Sequence, residues 1–214
     1  MSKDEEKVSR KGFFGEFFGI FKKGVANQVD RKLASMLEAP LRPPGALPEV
    51  EFLSTCTRCQ DCVPACPHMA IRIMPYQAGV AANTPYVEPA AQACLLCEDF
   101  PCISACPEGA LVPNNLPNVF MGRAIINQDA CQTWDDKVCT LCYDACPYPE
   151  QAITLEEFHP IILDACVGCG QCEQKCPVKP VGVKTLSPLH YRAWQMEDEL
   201  YFGLVEKNES NLEE

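Results

Sequence analysis

The chain has 214 residues, 16 of them cysteine, and a formal net charge of −11. That length suits one or two compact domains, and the acidic balance excludes a general nucleic-acid binder, because phosphate recognition rests on clustered cations. Cysteine at this density has three explanations, a secreted disulfide scaffold, structural zinc or iron–sulfur clusters, and spacing decides among them.

In chain order, residues 1–11 are charged and are expected to be disordered. Ser9-Arg10-Lys11-Gly12-Phe13-Phe14 resembles a twin-arginine export motif with lysine in the second basic place, but Glu16, Lys22, Lys23, Asp30, Arg31 and Lys32 interrupt any apolar region behind it. The expectation is therefore a cytoplasmic protein, soluble or peripheral at the inner membrane face, since no apolar run approaches the roughly 18 residues of a membrane span. The first 35 residues hold eight Lys/Arg against five acids, so the remainder carries −14.

Over residues 12–39, Phe13, Phe17, Phe21, Val25, Val29 and Leu33 fall four apart, the pattern of an amphipathic helix. Its Phe-rich face is expected to dock on a subunit or on the cluster domain, with a membrane surface as the other reading. Pro40-Leu41-Arg42-Pro43-Pro44-Gly45 ends the helix, and residues 40–52 read as a proline-rich linker.

Four cysteine quartets follow, beginning at Cys56, Cys94, Cys131 and Cys166, a repeat of 35 to 38 residues. The first (Cys56, Cys59, Cys62, Cys66) and the last (Cys166, Cys169, Cys172, Cys176) have the Cys-x2-Cys-x2-Cys-x3-Cys-Pro run of bacterial ferredoxins. The second (Cys94, Cys97, Cys102, Cys106) carries two extra residues between its second and third cysteines. The third (Cys131, Cys139, Cys142, Cys146) has a longer gap after its first. Extra loop residues cost little closure entropy, so all four can wrap a 4Fe-4S cubane.

In such a run the first three thiolates reach one cluster while the fourth, beyond the loop, reaches a neighbouring one. Gly168 and Gly170 are expected to let backbone amides approach the sulfides. Zinc fingers pair two Cys-x2–4-Cys knuckles instead, and no cysteine here is left over. All sixteen cysteines are thus expected to bind four 4Fe-4S clusters, which take the net charge to about −19.

Apolar stretches after each quartet (70–73, 109–112, 152–155, 181–184) and before the last two (123–127, 160–164) read as short strands of hairpins. The unit is strand, cluster loop, short helix, strand, with the cluster supplying the core that so small a unit lacks. The fold expected is α+β, tandem or nested ferredoxin-like βαββαβ modules spanning 53–187. A helix bearing Trp194, Leu200 and Leu204 and an acidic tail complete residues 188–214. His68, His159 and His190 read as ordinary, His68 drawing notice because it follows Cys66-Pro67; Trp134, Tyr143 and Tyr148 read as shields against water.

Crossed ligation needs quartets in pairs, either sequential or nested. The short gap from Cys146 to Cys166 favours sequential pairing. Cys94-Leu95-Leu96-Cys97-Glu98-Asp99-Phe100-Pro101-Cys102 resembles the second motif of molybdoenzyme electron-transfer subunits, which implies nesting, and the balance leans to nesting.

Leu41-Arg42-Pro43-Pro44-Gly45-Ala46-Leu47-Pro48-Glu49, Thr84-Pro85-Tyr86, Cys97-Glu98-Asp99 with Pro101-Cys102, and Met121-Gly122-Arg123-Ala124 together resemble the MauM/NapG family of ferredoxin-type proteins. The likeness covers about residues 40–188. It implies four 4Fe-4S clusters on the sixteen cysteines and electron relay beside a quinol dehydrogenase and a reductase or amine dehydrogenase. Family members usually carry a functional twin-arginine signal, so the degenerate motif here turns the expectation toward a cytoplasmic redox enzyme as neighbour. No catalytic constellation, phosphate loop or flavin fingerprint is present. The chain is expected to be an electron-transfer subunit of an oxidoreductase complex without activity of its own; the alternative is an accessory protein that binds a reductase precursor and keeps its clusters as folding staples.

Overall fold

The computed structural model describes residues 39–113 and 119–195. The expected disordered start, nearly all of the helix expected over 12–39, and the acidic tail lie outside them. One compact unit, Glu38–Tyr191, carries every cysteine. Among the described residues no helix is long and apolar enough to cross a membrane.

The unit contains two related halves. In the first, β1 (Ile71–Ile73) follows the first quartet and pairs antiparallel with β2 (Pro85–Val87), which precedes the second. In the second, β4 (Ile153–Glu156) and β5 (His159–Ile162) form the corresponding hairpin between quartets three and four. Its outer strands, β3 (Arg123–Ile126) and β6 (Val183–Leu186), pair with each other, Arg123 opposite Leu186 and Ile126 opposite Val183. The stretch at 123–127 is thus a strand whose partner lies at the far end of the module and not in a local hairpin. In the first half the outer pair shrinks to one bridge, Ala46 with Leu111, so 109–112 supplies a single bridged residue where a strand was expected.

Each quartet carries one turn of helix around its third cysteine, ending just before its fourth: α2 (Cys62–Ala65), α3 (Pro101–Ser104), α4 (Leu141–Asp144) and α5 (Gln171–Lys175). A longer helix, α1 (Glu49–Thr55), precedes the first quartet. Helices this short are not stable alone, because nucleation costs more than one turn returns. They pack in pairs, α2 on α3 and α4 on α5.

Residues 40–52 are not a linker. Leu41, Arg42, Pro43 and Pro44 are buried, Leu41 bridges Val87, and α1 begins inside the stretch. Proline's missing N–H allows this burial without an unpaired donor. Beyond β6, residues 188–195 are helical, the start of the expected C-terminal helix.

The apolar cores are small, and cysteines sit inside them. Phe52, Ile71, Val87, Phe100 and Ile103 surround Cys62, Cys94 and Cys102 in the first half; Ala124, Ile153 and Val183 surround Cys142 in the second. The halves meet along quartets two and four: Cys94 N–H donates to Cys169 O at 3.1 Å, and Gln171 Nε2 donates to Cys94 O at 3.1 Å. Gly168 and Gly170, with φ of +71° and +83°, lie at this junction. A Cβ on Gly168 would stand 2.4 Å from Gly122 C, and one on Gly170 would stand 2.6 Å from Pro89 Cβ. Their missing side chains therefore make room for the other segments of the fold, a role the spacing did not reveal.

Candidate iron–sulfur sites

Four cavities of alike size, partly open to solvent, are each lined by four cysteines. Site I has Cys56, Cys59, Cys62 and Cys106. Site II has Cys94, Cys97, Cys102 and Cys66. Site III has Cys166, Cys169, Cys172 and Cys146, and site IV has Cys131, Cys139, Cys142 and Cys176. Every quartet thus gives three cysteines to one site and its Cys-Pro cysteine to another.

The exchange is sequential, quartet one with two and quartet three with four, so nesting is overturned. The reason lies in the inner hairpins. β1–β2 and β4–β5 turn the chain back on itself, laying α2 against α3 and α4 against α5, and each helix presents its last cysteine to its neighbour's loop. The resemblance at 94–102 concerned a loop, whereas pairing is decided by the strands between loops.

The departures from regular spacing have local explanations. In quartet two the extra residues form a turn in which Phe100 takes a left-handed φ of +40° and is buried, lining site II, before Pro101 starts α3. Proline at a helix start forfeits no hydrogen bond. In quartet three the longer gap is a 3-10 turn, Gln132–Asp135.

Backbone amides face the sulfurs. The N–H groups of Ala70, Leu111 and Gly182 donate to the Sγ atoms of Cys66, Cys106 and Cys176 at 3.4, 3.5 and 3.2 Å. Each donor stands just past a Cys-Pro turn, where the chain enters the next extended stretch. Amides so placed favour negative charge on sulfur.

Burial works in the opposite direction. It pushes the thiols of Cys62 and Cys94 up to about 12, and those of Cys102, Cys142 and Cys169 up to about 11, with neighbouring sulfurs adding repulsion. Four thiolates crowded in one apolar pocket therefore need a cationic centre to exist together. Among the described residues no three His, Cys, Asp or Glu side chains close on a point that a single metal ion could fill. The sulfurs frame a cage instead, which fits a polynuclear core and not tetrahedral zinc.

The sites follow one another in a row. Cys62 of site I lies near Cys102 of site II, Cys94 of site II near Cys169 of site III, and Cys172 of site III near Cys142 of site IV. On α5, between Cys172 of site III and Cys176 of site IV in the chain, Glu173, 2 % exposed, accepts from Lys184 Nζ and from Thr185 N–H, each at 2.7 Å. This fastening of α5 to β6 could not be read from an isolated glutamate between two cysteines.

The remaining residues singled out from sequence divide. Tyr148 lines site III, and His68 stands exposed at the rim of site II. Tyr143 directs its hydroxyl to Glu150 Oε1 at 2.6 Å, and Trp134 stacks on His159 with ring centroids 4.4 Å apart; neither is among the residues lining a site. His190 pairs with Ser187 at 3.2 Å.

The βαββαβ halves and their cysteine cages define an iron–sulfur electron-transfer protein of the ferredoxin class. Residues 55–110 match the 4Fe-4S dicluster domain family and residues 159–181 the 4Fe-4S binding domain family. The chain is 35 % identical over 205 residues to the ferredoxin-type protein NapG of Escherichia coli, covering 89 % of this chain and 88 % of that one. It is 36 % identical over 177 residues to the methylamine utilization ferredoxin-type protein MauM of Methylorubrum extorquens (76 % and 80 % covered), and 32 % over 199 residues to MauM of Methylophilus methylotrophus (86 % of each). The chain belongs to the NapG/MauM family of ferredoxin-type proteins. The dicluster match spans quartets one and two, in keeping with sequential pairing.

Proposed function

We propose that the chain binds four 4Fe-4S clusters on its sixteen cysteines and relays single electrons between two protein partners, as a subunit of an oxidoreductase complex. The observation that carries this reading is the row of four like cages, each with four cysteines and each beside the next. A bound 4Fe-4S cluster supplies a one-electron couple. The protein's part is to hold the cages in series, exclude water with residues such as Phe52, Phe100 and Tyr148, and aim amides at sulfur.

The two halves are joined through backbone at Cys94 and Cys169, so sites II and III keep a fixed spacing. A relay needs that, because an electron must pass from one half to the other. The names of the relatives, ferredoxin-type proteins, support an electron carrier and not a catalyst.

The test is anaerobic co-purification of the full chain with its bound partner. The chain is then reduced with dithionite, and its reoxidation by that partner is followed together with the partner's turnover. Stoichiometric electron delivery supports the relay. Clusters that stay redox-silent while the partner still binds would instead show an accessory protein with structural clusters.

A further inference from the structure

Site I is the end of the row, and its two sides differ. On the outside, Thr57, Arg58, Cys59, Gln60 and Asp61 are all exposed, and Cys59 is the exposed one of the sixteen cysteines. Arg58 holds this loop by donating to the carbonyls of Cys56, Val80 and Ala82 at 3.1 to 3.2 Å. On the inside stands Phe52, 0 % exposed, whose ring forms part of the cage wall.

Behind Phe52 lies Arg42, 5 % exposed, its guanidinium carbon 4.5 Å from the ring centroid. Every arm of that guanidinium is engaged. Nε and Nη2 grip Glu49 of α1 at 2.9 and 2.6 Å, while Nη1 donates to Thr84 Oγ1 at 2.8 Å and to Pro85 O at 2.7 Å. Pro85 itself lines site I, and Pro44, two residues after Arg42, lines site II. Gly45 lets the strap pass within touching distance of Val112 O, which a Cβ there would meet at 2.3 Å.

A buried arginine is costly unless fully paired, and the fork geometry used here is one that lysine cannot reproduce. Removing Arg42 would leave Glu49 unpaired and Phe52 without backing, so the packing of α1 on site I depends on it.

We propose that the segment from Leu41 to Thr55 is a seal over the inner side of cluster I, with Phe52 as its stopper and Arg42 as the positioning residue. Solvent and partner then meet this cluster at the Cys59 edge and along the exposed Pro107–Glu108 rim, and not through the Phe52 side. This inference rests on the four-cluster reading. One electron makes the cluster with its thiolates one unit more negative, and water stabilises the larger charge more. Sealing therefore lowers the reduction potential of cluster I, and opening the seal raises it.

The experiment is potentiometry of the full holoprotein, with cluster I identified as the signal that Cys59→Ser alters. Iron content is counted first: wild-type protein lacking iron at Cys56, Cys59, Cys62 and Cys106 would overturn the underlying reading and not merely the seal. In Phe52→Ala, cluster I should shift roughly tenfold toward its reduced form, about 59 mV for one electron, while Phe52→Leu shifts less than about threefold. Its iron should also pass to a chelator faster, with clusters III and IV unchanged. Arg42→Gln with Glu49→Gln removes both charges together and should move cluster I in the same direction, deciding the matter should Phe52→Ala fail to fold. A fully loaded variant whose cluster I potential is unmoved or lower, or in which all four clusters shift alike, overturns the seal.

Discussion

Gly168 and Gly109 make a matched pair for measuring what the close approach of Gly122 to the quartet-four loop requires. Their φ angles are +71° and +69°, so alanine at either pays a similar penalty for left-handed backbone, about 1–2 kcal/mol. They differ in surroundings: nothing lies within 4 Å of a Cβ at Gly109, whereas one at Gly168 would stand 2.4, 2.5 and 2.6 Å from the C, O and N atoms of Gly122. Backbone atoms cannot swing aside as a side-chain tip can, so Gly168→Ala adds overpacking of about 1–3 kcal/mol. For a domain of this size that difference corresponds to a melting temperature roughly 2–12 °C lower than that of Gly109→Ala. Thermal loss of the visible cluster absorbance under anaerobic conditions, at one scan rate for both variants, provides the assay. Equal melting of the two would refute the argument that Gly168 is kept for the approach of Gly122.

Two further outcomes follow from the cages. Cys106→Ser and Cys59→Ser should perturb the same cluster signal in EPR, and Cys66→Ser a different one, because Cys106 completes the site of quartet one; nested pairing would give another grouping. Burial holds the thiols of Cys62 and Cys94 protonated up to about 12, so protons compete with iron across the neutral range. Loading therefore releases protons, and iron loss to a chelator should accelerate as pH falls from about 8 to about 6; a rate that rises with pH would contradict this.

Much of the site was legible because ligand chemistry is written locally. In the first and last quartets three cysteines within seven residues and a distal Cys-Pro can be counted along the chain, and all sixteen cysteines line the four cavities. Pairing was not legible, since it depends on which way β1–β2 and β4–β5 turn the chain. Neither was the packing of residues 40–52. Proline-rich composition marks an irregular path, but whether that path is exposed depends on Arg42 reaching Glu49, Thr84 and Pro85, two of them more than forty positions away. Gly168 and Gly170 illustrate the same limit. Their φ values suit a tight loop, yet the atoms that require a missing Cβ belong to Gly122 and Pro89.

Iron and acid-labile sulfide per chain, measured on anaerobically purified protein, test the central claim most directly. Four filled cages predict about 16 of each. A value near 8 would mean that half of the cysteine cages hold no cluster, and the relay through four sites in a row would fail with it.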